Sequence, residues 1–268
     1  MYQENANVIS QEKVQGGYHV LTLRAPLMVS AVQPGQFVHV RVPHMEESLL
    51  RRPFSVYRAE GDQLRILYKG VGKGTRTMTF LQAGDTLDLI GPLGRGFPPL
   101  TVGRYPVLVA GGYGMAALYL LARQLPVKGV AFFGGRTAPD ILCVPEFEAL
   151  GWEVQVATED GSLGESGRVT RLLDDWWATR EPKADAVEAY ACGPNGMLQA
   201  VAERAREHEW TAWVSVDRNM GCGVGACLTC VLKTHAPGGG WAWKRSCTEG
   251  PVFESREIVW EEETAPTS

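Results

Sequence analysis

Tyr105-Pro-Val-Leu-Val-Ala-Gly-Gly-Tyr-Gly-Met-Ala-Ala-Leu-Tyr-Leu-Leu-Ala122 runs without a charge. Its length alone comes close to that of a bilayer span. Gly111, Gly112 and Gly114 break its middle and Pro106 sits near its start. A buried strand, a glycine turn and a buried helix explain it better than a membrane helix. Gly112-x-Gly114-x-x-Ala117 formally fits the dinucleotide fingerprint. The acidic residue expected at the end of the following strand is missing, and Gly134-Gly-Arg-Thr137 stands there. Two readings stay open: a close backbone approach to a nucleotide, or only a tight strand–helix turn.

Downstream the same texture continues. Strands are expected at Val130–Phe133, Val154–Ala157, Ala189–Cys192 and Ala212–Val216. Helices are expected at Met115–Leu125, Pro145–Leu150, Val169–Arg180 and Gly196–His208. Strands too apolar to be half exposed, alternating with helices, argue for a doubly wound parallel α/β sheet. Cys192-Gly-Pro194 closes one of these strands at the carboxyl edge, where such sheets bind ligands. Cys192 could touch a nicotinamide or be a small buried side chain.

Upstream the texture is β. His19–Arg24, Gln36–Val42, Gln63–Tyr68 and Asp85–Ile90 alternate, with turn residues such as Pro34-Gly35 and Gly61-Asp62 between them. Short strands at this spacing point to a small antiparallel β-barrel. Gly91–Pro99 reads as the linker that ends it. Inside it, Arg52-Pro53-Phe54-Ser55 puts a fixed cation, an aromatic ring and a hydroxyl in one stretch. Arg suits a pyrophosphate, and Ser can bond a flavin ring edge. Leu67-Tyr68-Lys69 leads into Gly72, Gly74 and Thr75, whose backbone N–H groups could form an anion nest. Each motif alone also fits edge strands and a glycine turn.

From about Asp217 neither texture holds. Cys222-x4-Cys227-x2-Cys230 is followed at a distance by Cys247. That is the plant-type [2Fe-2S] spacing. Gly221, Gly223, Gly225 and Ala226 leave room for backbone N–H groups to approach sulfur. A structural zinc site would normally show two matched C-x2-C pairs, and only one is present. Glu261–Ser268 reads as a loose tail.

Composition bounds the rest. The 268 residues suit more than one domain, and the expected boundaries are 1–100, 101–216 and 217–268. The 45% hydrophobic content allows a packed core, and a net charge of −4 argues against nucleic-acid binding. No targeting segment is visible, so the chain is expected to be soluble and cytoplasmic.

The order of these motifs resembles the ferredoxin–NADP reductase superfamily. With Met220–Val231 and Cys247–Phe253 at its end, the chain is similar to the electron-transfer subunits of type B dihydroorotate dehydrogenases. Thr158–Gly164 adds to the likeness. The resemblance implies FAD held by Arg52, Pro53, Phe54, Ser55, Leu67, Tyr68, Lys69, Gly74 and Thr75. It implies NAD facing Gly111, Gly112, Gly114, Cys192, Gly193 and Pro194, and a [2Fe-2S] cluster on Cys222, Cys227, Cys230 and Cys247. It also implies an FMN-containing catalytic subunit as partner, in a heterotetramer of two of each. The chain departs from many superfamily members at Ala116-Ala117, where they carry proline. Glu159 and Asp160 would repel a 2′-phosphate, which favours NAD, while Arg136 cuts the other way. The alternatives are a reductase subunit of a hydrogenase, sulfite reductase or ferredoxin:NAD system, and a zinc-stapled flavin scaffold.

Overall fold

Alternating apolar residues need a shared interior, and the first unit supplies one. The computed structural model describes residues 1–43, 50–183 and 186–260. Its first strands are β1 (Tyr2–Lys13), β2 (Tyr18–Arg24), β3 (Phe37–Arg41), β4 (Arg52–Ser55), β5 (Arg58–Glu60), β6 (Gln63–Lys69) and β7 (Thr86–Leu93). They form one curled antiparallel sheet in the order β4-β3-β7-β1-β2-β6-β5. Leu21, Leu23, Val38, Val40, Leu64, Ile66, Leu87 and Leu89 fill it. The short helices α1 (Pro26–Ala31) and α2 (Lys73–Met78) add Met28 and Met78. The curl brings β4 toward β6, where Phe54 and Tyr68 meet edge to face with centroids 5.8 Å apart.

One strand lies outside the alternating stretches, and one expectation needs correcting. β1 occupies a stretch that reads only as polar. Of its residues just Ala6 and Val8 are buried, so no alternation marks it; hydrogen bonding to both β2 and β7 holds it in place. Gly91–Pro99 is not wholly a linker, since β7 continues through Gly91 to Leu93.

The second unit follows as β8 (Tyr105–Gly111), α3 (Gly114–Gln124), β9 (Val130–Gly135), α4 (Val144–Ala149), β10 (Glu153–Thr158), β11 (Glu165–Ser166), α5 (Val169–Arg180), β12 (Val187–Cys192), α6 (Asn195–Glu207) and β13 (Thr211–Ser215). The C-terminal segment adds a hairpin, β14 (Val231–His235) and β15 (Trp241–Arg245), and a strand, β16 (Val252–Glu254). The second sheet has the order β11-β10-β9-β8-β12-β13-β16. All its pairings are parallel except β13 with β16. Chain direction across the sheet reverses between β8 and β12, which opens a crevice at their carboxyl ends.

The uncharged part of this helix now has a physical cause. Gly114 through Ala122 of α3 are all buried. Met115, Leu118 and Tyr119 pack in one cluster with Tyr57 and Leu67 from the barrel. The helix is therefore covered by its own sheet and by the neighbouring unit. Among the described residues no helix is long and apolar enough to cross a membrane. The segment after Asp217, which has neither texture in the sequence, forms the hairpin and ties into the α/β sheet through β16. The stretch expected to be a loose tail, 261–268, lies outside the described residues.

Candidate functional site

The cysteine loop builds a sulfur-facing cradle. Gly223 and Gly225 hold φ of +72° and +85°, a region costly for residues with a Cβ. The turns they make aim backbone N–H groups of Val224, Ala226 and Cys227 at Cys222 Sγ, at 3.4, 3.2 and 3.4 Å. Cys222 N–H points at Cys227 Sγ at 3.3 Å. Thr229 Oγ1 lies 3.2 Å from Cys227 Sγ. Hydrogen bonding from Thr229 and Cys222 lowers the Cys227 thiol to about 6. Cys230 and Cys247 are buried with Phe37 and Leu93 of the barrel. Burial, then the Cys230 thiol beside it, pushes Cys247 up to about 12. The thiols thus fall into two pairs, Cys222 with Cys227 and Cys230 with Cys247.

That arrangement fits a two-iron cluster, in which each iron takes two thiolates and N–H groups stabilise the sulfurs.

The barrel motifs converge although they are distant in sequence. On β4, Ser55, Phe54, Pro53 and Arg52 pair with Phe37, Val38, His39 and Val40 of β3. The Arg52 side chain reaches the α2 turn, where a Cβ on Gly74 would lie 3.3 Å from its Nε. A cation and a glycine turn therefore share one corner. The Thr75 side chain works inside the turn. Its Oγ1 accepts from the N–H groups of Val71 and Gly72, both at 3.0 Å. Gly72 N–H is therefore committed inside the turn. Leu67 packs toward the α/β unit, while Tyr68 faces the barrel interior and Phe54.

Lys69 crosses between the units. Its Nζ lies 2.8 Å from Asp140 Oδ1 and 4.6 Å from the Tyr18 ring centroid. Tyr18 O–H also donates to Asp140, at 3.2 Å. Burial works to raise the Asp140 carboxyl, but Lys69 and Tyr18 donate to it and hold it below its usual range. Tyr18 and Asp140 carry no sequence signal for this role, because each reads as an ordinary strand or loop residue.

At the crevice, the glycines are explained first by packing. A Cβ on Gly114 would lie 2.0 Å from the Cys192 carbonyl oxygen. One on Gly111 would meet Pro194 Cδ at 2.8 Å, and one on Gly193 would meet Gly111 N at 2.9 Å. The two turns are locked together by their lack of side chains. Gly112, with φ +55°, instead faces the Tyr18 hydroxyl across the gap between the units. Cys192 ends β12 and is buried. Burial pushes its thiol up to about 12, opposed by a hydrogen bond with Ser215. It is a neutral thiol at physiological pH. Arg136, Glu159 and Asp160 lie exposed on one rim, with Asp160 N–H donating to the Arg136 carbonyl at 3.2 Å.

His39 is the residue that the alternation pattern places on a polar face. The structure buries it completely, against the cluster loop. Burial and the Arg51 guanidinium hold its imidazole below the usual range.

Comparison with known proteins matches this geometry. Residues 217–259 match the iron-sulfur cluster binding domain of dihydroorotate dehydrogenase B, and residues 108–203 match an oxidoreductase NAD-binding domain. The electron transfer subunit of dihydroorotate dehydrogenase B (NAD(+)) from Bacillus caldolyticus is 42% identical over 264 residues, covering 96% of this chain and 98% of that protein. The chain belongs to the dihydroorotate dehydrogenase B electron-transfer subunit family. The family member from Bacillus mycoides (strain KBAB4) is 36% identical over 97% of this chain and 99% of that protein.

Solved structures extend the comparison beyond the family. The structure titled for an NADH-dependent reduced ferredoxin-NADP oxidoreductase has a TM-score of 0.83 at 30% identity. It covers 96% of this chain and 90% of that one. A ferredoxin NADP+ reductase from Neisseria gonorrhoeae shares the fold at TM-score 0.64 and 15% identity, over 77% of this chain and 91% of that one. The fold is thus ferredoxin-reductase-like, a curled antiparallel half-barrel beside an α/β sheet, with the family's cluster domain at the C-terminus.

Proposed function

We propose that this chain accepts electrons from an FMN-containing dihydroorotate dehydrogenase catalytic subunit and delivers them to NAD+, through a [2Fe-2S] cluster and FAD, in pyrimidine biosynthesis. The observation that carries the reading is the cradle of N–H groups on Cys222 and Cys227, whose loop lies against His39 of β3, the strand paired with the flavin-motif strand β4. The bound groups supply the chemistry: nicotinamide exchanges hydride, flavin takes one or two electrons, and the cluster moves single electrons.

The chain's own residues bind and orient. Cys222, Cys227, Cys230 and Cys247 hold the cluster. Arg52 and the Gly74-Thr75 turn receive the flavin's pyrophosphate, while Pro53, Phe54, Ser55, Leu67, Tyr68 and Lys69 shape the rest of its site. Gly111, Gly112, Gly114, Gly193 and Pro194 let the nicotinamide nucleotide approach the backbone. Cys192, as a neutral thiol, offers it a small dry contact. Lys69, Tyr18 and Asp140 keep the units in register across the gap. The units are divided at about residues 100 and 216, and the protein works in the cytoplasm.

The partner binds beside the cluster loop as a heterotetramer of two of each chain. Val224 and Leu228 on that loop, and Trp241 and Trp243 on the hairpin, are exposed apolar side chains that a partner would cover. A second reading, a reductase subunit of a ferredoxin:NAD-type complex, is favoured by the relative at 30% identity. The two readings differ in their partner. The test is to purify the chain without oxygen and assay it alone and with the FMN subunit. Iron, sulfide and FAD, NADH-dependent bleaching, and dihydroorotate-dependent NAD+ reduction only in the mixture are expected. Dihydroorotate oxidation by the chain alone, or zinc without iron, would overturn the proposal.

A further inference from the structure

His39 sits where the two electron-carrying sites meet. In register it opposes Pro53 of β4 and Ile90 of β7. Its neighbours Val38 and Val40 point into the barrel core, so the period of the strand turns His39 the other way. On that side lies the cluster loop. A Cβ on Gly223 would stand 2.5 Å from His39 Nδ1 and 3.1 Å from Cε1. Phe37, two residues earlier on the same face, packs with Cys230 and Cys247. The ring is 0% exposed, and among the described residues neither of its nitrogens has a hydrogen-bond partner. Backbone groups of Cys222 and Arg51 come close to the ring, outside good hydrogen-bond geometry. A buried imidazole N–H left without a partner is costly and calls for an acceptor.

We propose that His39 is a positioning residue for the cluster: its ring N–H donates a hydrogen bond to a sulfur at the Cys222–Cys227 end, fixing the loop on the flavin-bearing strands and raising the cluster's reduction potential. This rests on the cysteines holding a [2Fe-2S] cluster. Hydrogen bonds to cluster or ligand sulfurs stabilise the reduced, more negative state, and so raise the potential. The Gly223 hydrogen faces the ring because any side chain there would displace it. The Arg52–Ser55 strand pairs with the strand of His39, with Pro53 directly opposite His39, so the cluster loop rests on a strand that is hydrogen-bonded to the flavin-motif strand.

The decisive measurement leaves the protein unaltered. The full chain, labelled with 15N only in histidine, is loaded and checked for iron and sulfide. The cluster is then reduced and studied by pulsed electron paramagnetic resonance. A 15N coupling is expected, and it should vanish in His39→Gln made the same way if the imidazole is its source. Potentials are then read by redox titration in His39→Phe, which keeps a ring without N–H, and in His39→Gln, which keeps a donor. The cluster couple should shift about tenfold toward the oxidised form in His39→Phe, about 59 mV for one electron. His39→Gln should recover most of that shift, and the FAD couple should not move in either variant. A loaded wild-type protein without 15N coupling overturns the proposal, as does a shift confined to the FAD couple. Protein with no iron or sulfide would instead sink the cluster assignment itself.

Discussion

Gly114 and Gly112 stand two positions apart in one fingerprint yet answer to different constraints. At Gly114 an added methyl would meet a backbone carbonyl at 2.0 Å, and backbone cannot rotate away. Gly114→Ala is expected to cost about 3 kcal/mol or more by overpacking, read as a fall in the urea midpoint at unchanged slope. At Gly112 the nearest atom is the Tyr18 hydroxyl at 3.4 Å, and only the positive φ is strained. Gly112→Ala should cost about 1–2 kcal/mol, with the larger effect on the KM for NADH. Equal destabilisation by both would refute the distinction. Arg52 gives a sharper contrast, because Arg52→Lys keeps the charge and loses the fork. A charge-assisted hydrogen bond is worth about 1.5–3 kcal/mol, so FAD affinity should fall about tenfold or more. Iron content should stay unchanged, and released-flavin fluorescence checks it. Cysteine spacing marked in the sequence the loop that the structure folds into a sulfur-facing cradle, because the chemistry demands local chain geometry. His39, Tyr18 and Asp140 were not legible, because their meaning lies in what the other unit places opposite them.

At the scale of elements, strands with a strong period were visible and those made by partners were not. The helix Val169–Arg180 agrees at both ends, because Leu172, Leu173 and Trp176 mark its buried face. β1 escaped because two buried residues cannot declare a period. β16 escaped because three residues carry almost no pattern, and its place is set by β13. Its Phe253 is 3% exposed, pairs with Val214, and covers Gly250 so closely that a Cβ there would lie 2.2 Å from the ring. Phe253→Ala removes a fully packed aromatic side chain, which typically costs about 3–5 kcal/mol. Because β16 joins the cluster segment to the α/β sheet, the loss should also appear as faster iron release to a chelator. Unchanged iron retention in a folded variant would mean that the cradle stands without this strand.

At the scale of the whole molecule, burial of acidic O–H and S–H groups sets the response to alkali. Tyr18, Tyr57, Tyr113 and Tyr190 are raised well above the usual phenol range, with burial the largest cause in each. Burial likewise pushes Tyr68, Cys143 and Cys192 up to about 12. Unfolded, these thiols and phenols release their protons near about 8.5 and about 10. Above those values the unfolded chain holds fewer protons than the folded one, so stability falls with rising pH. The contribution is complete below about pH 8.5 and lost progressively toward 12. On the acid side Asp140 and Glu249 are held below their usual values, so their contribution is lost as the pH drops through the carboxylate range. Urea unfolding at pH 7.5, 9.5 and 10.5 (about the thiol and phenol ranges) should show a steady decline over the two alkaline steps. Tyr57 and Cys143 lie together, with O–H and Sγ 3.6 Å apart, so Tyr57→Phe with Cys143→Ala removes two of the responsible protons. That double variant should be less stable at neutral pH and show a shallower alkaline decline. A decline as steep as the wild type's would place the alkaline sensitivity in groups other than these two.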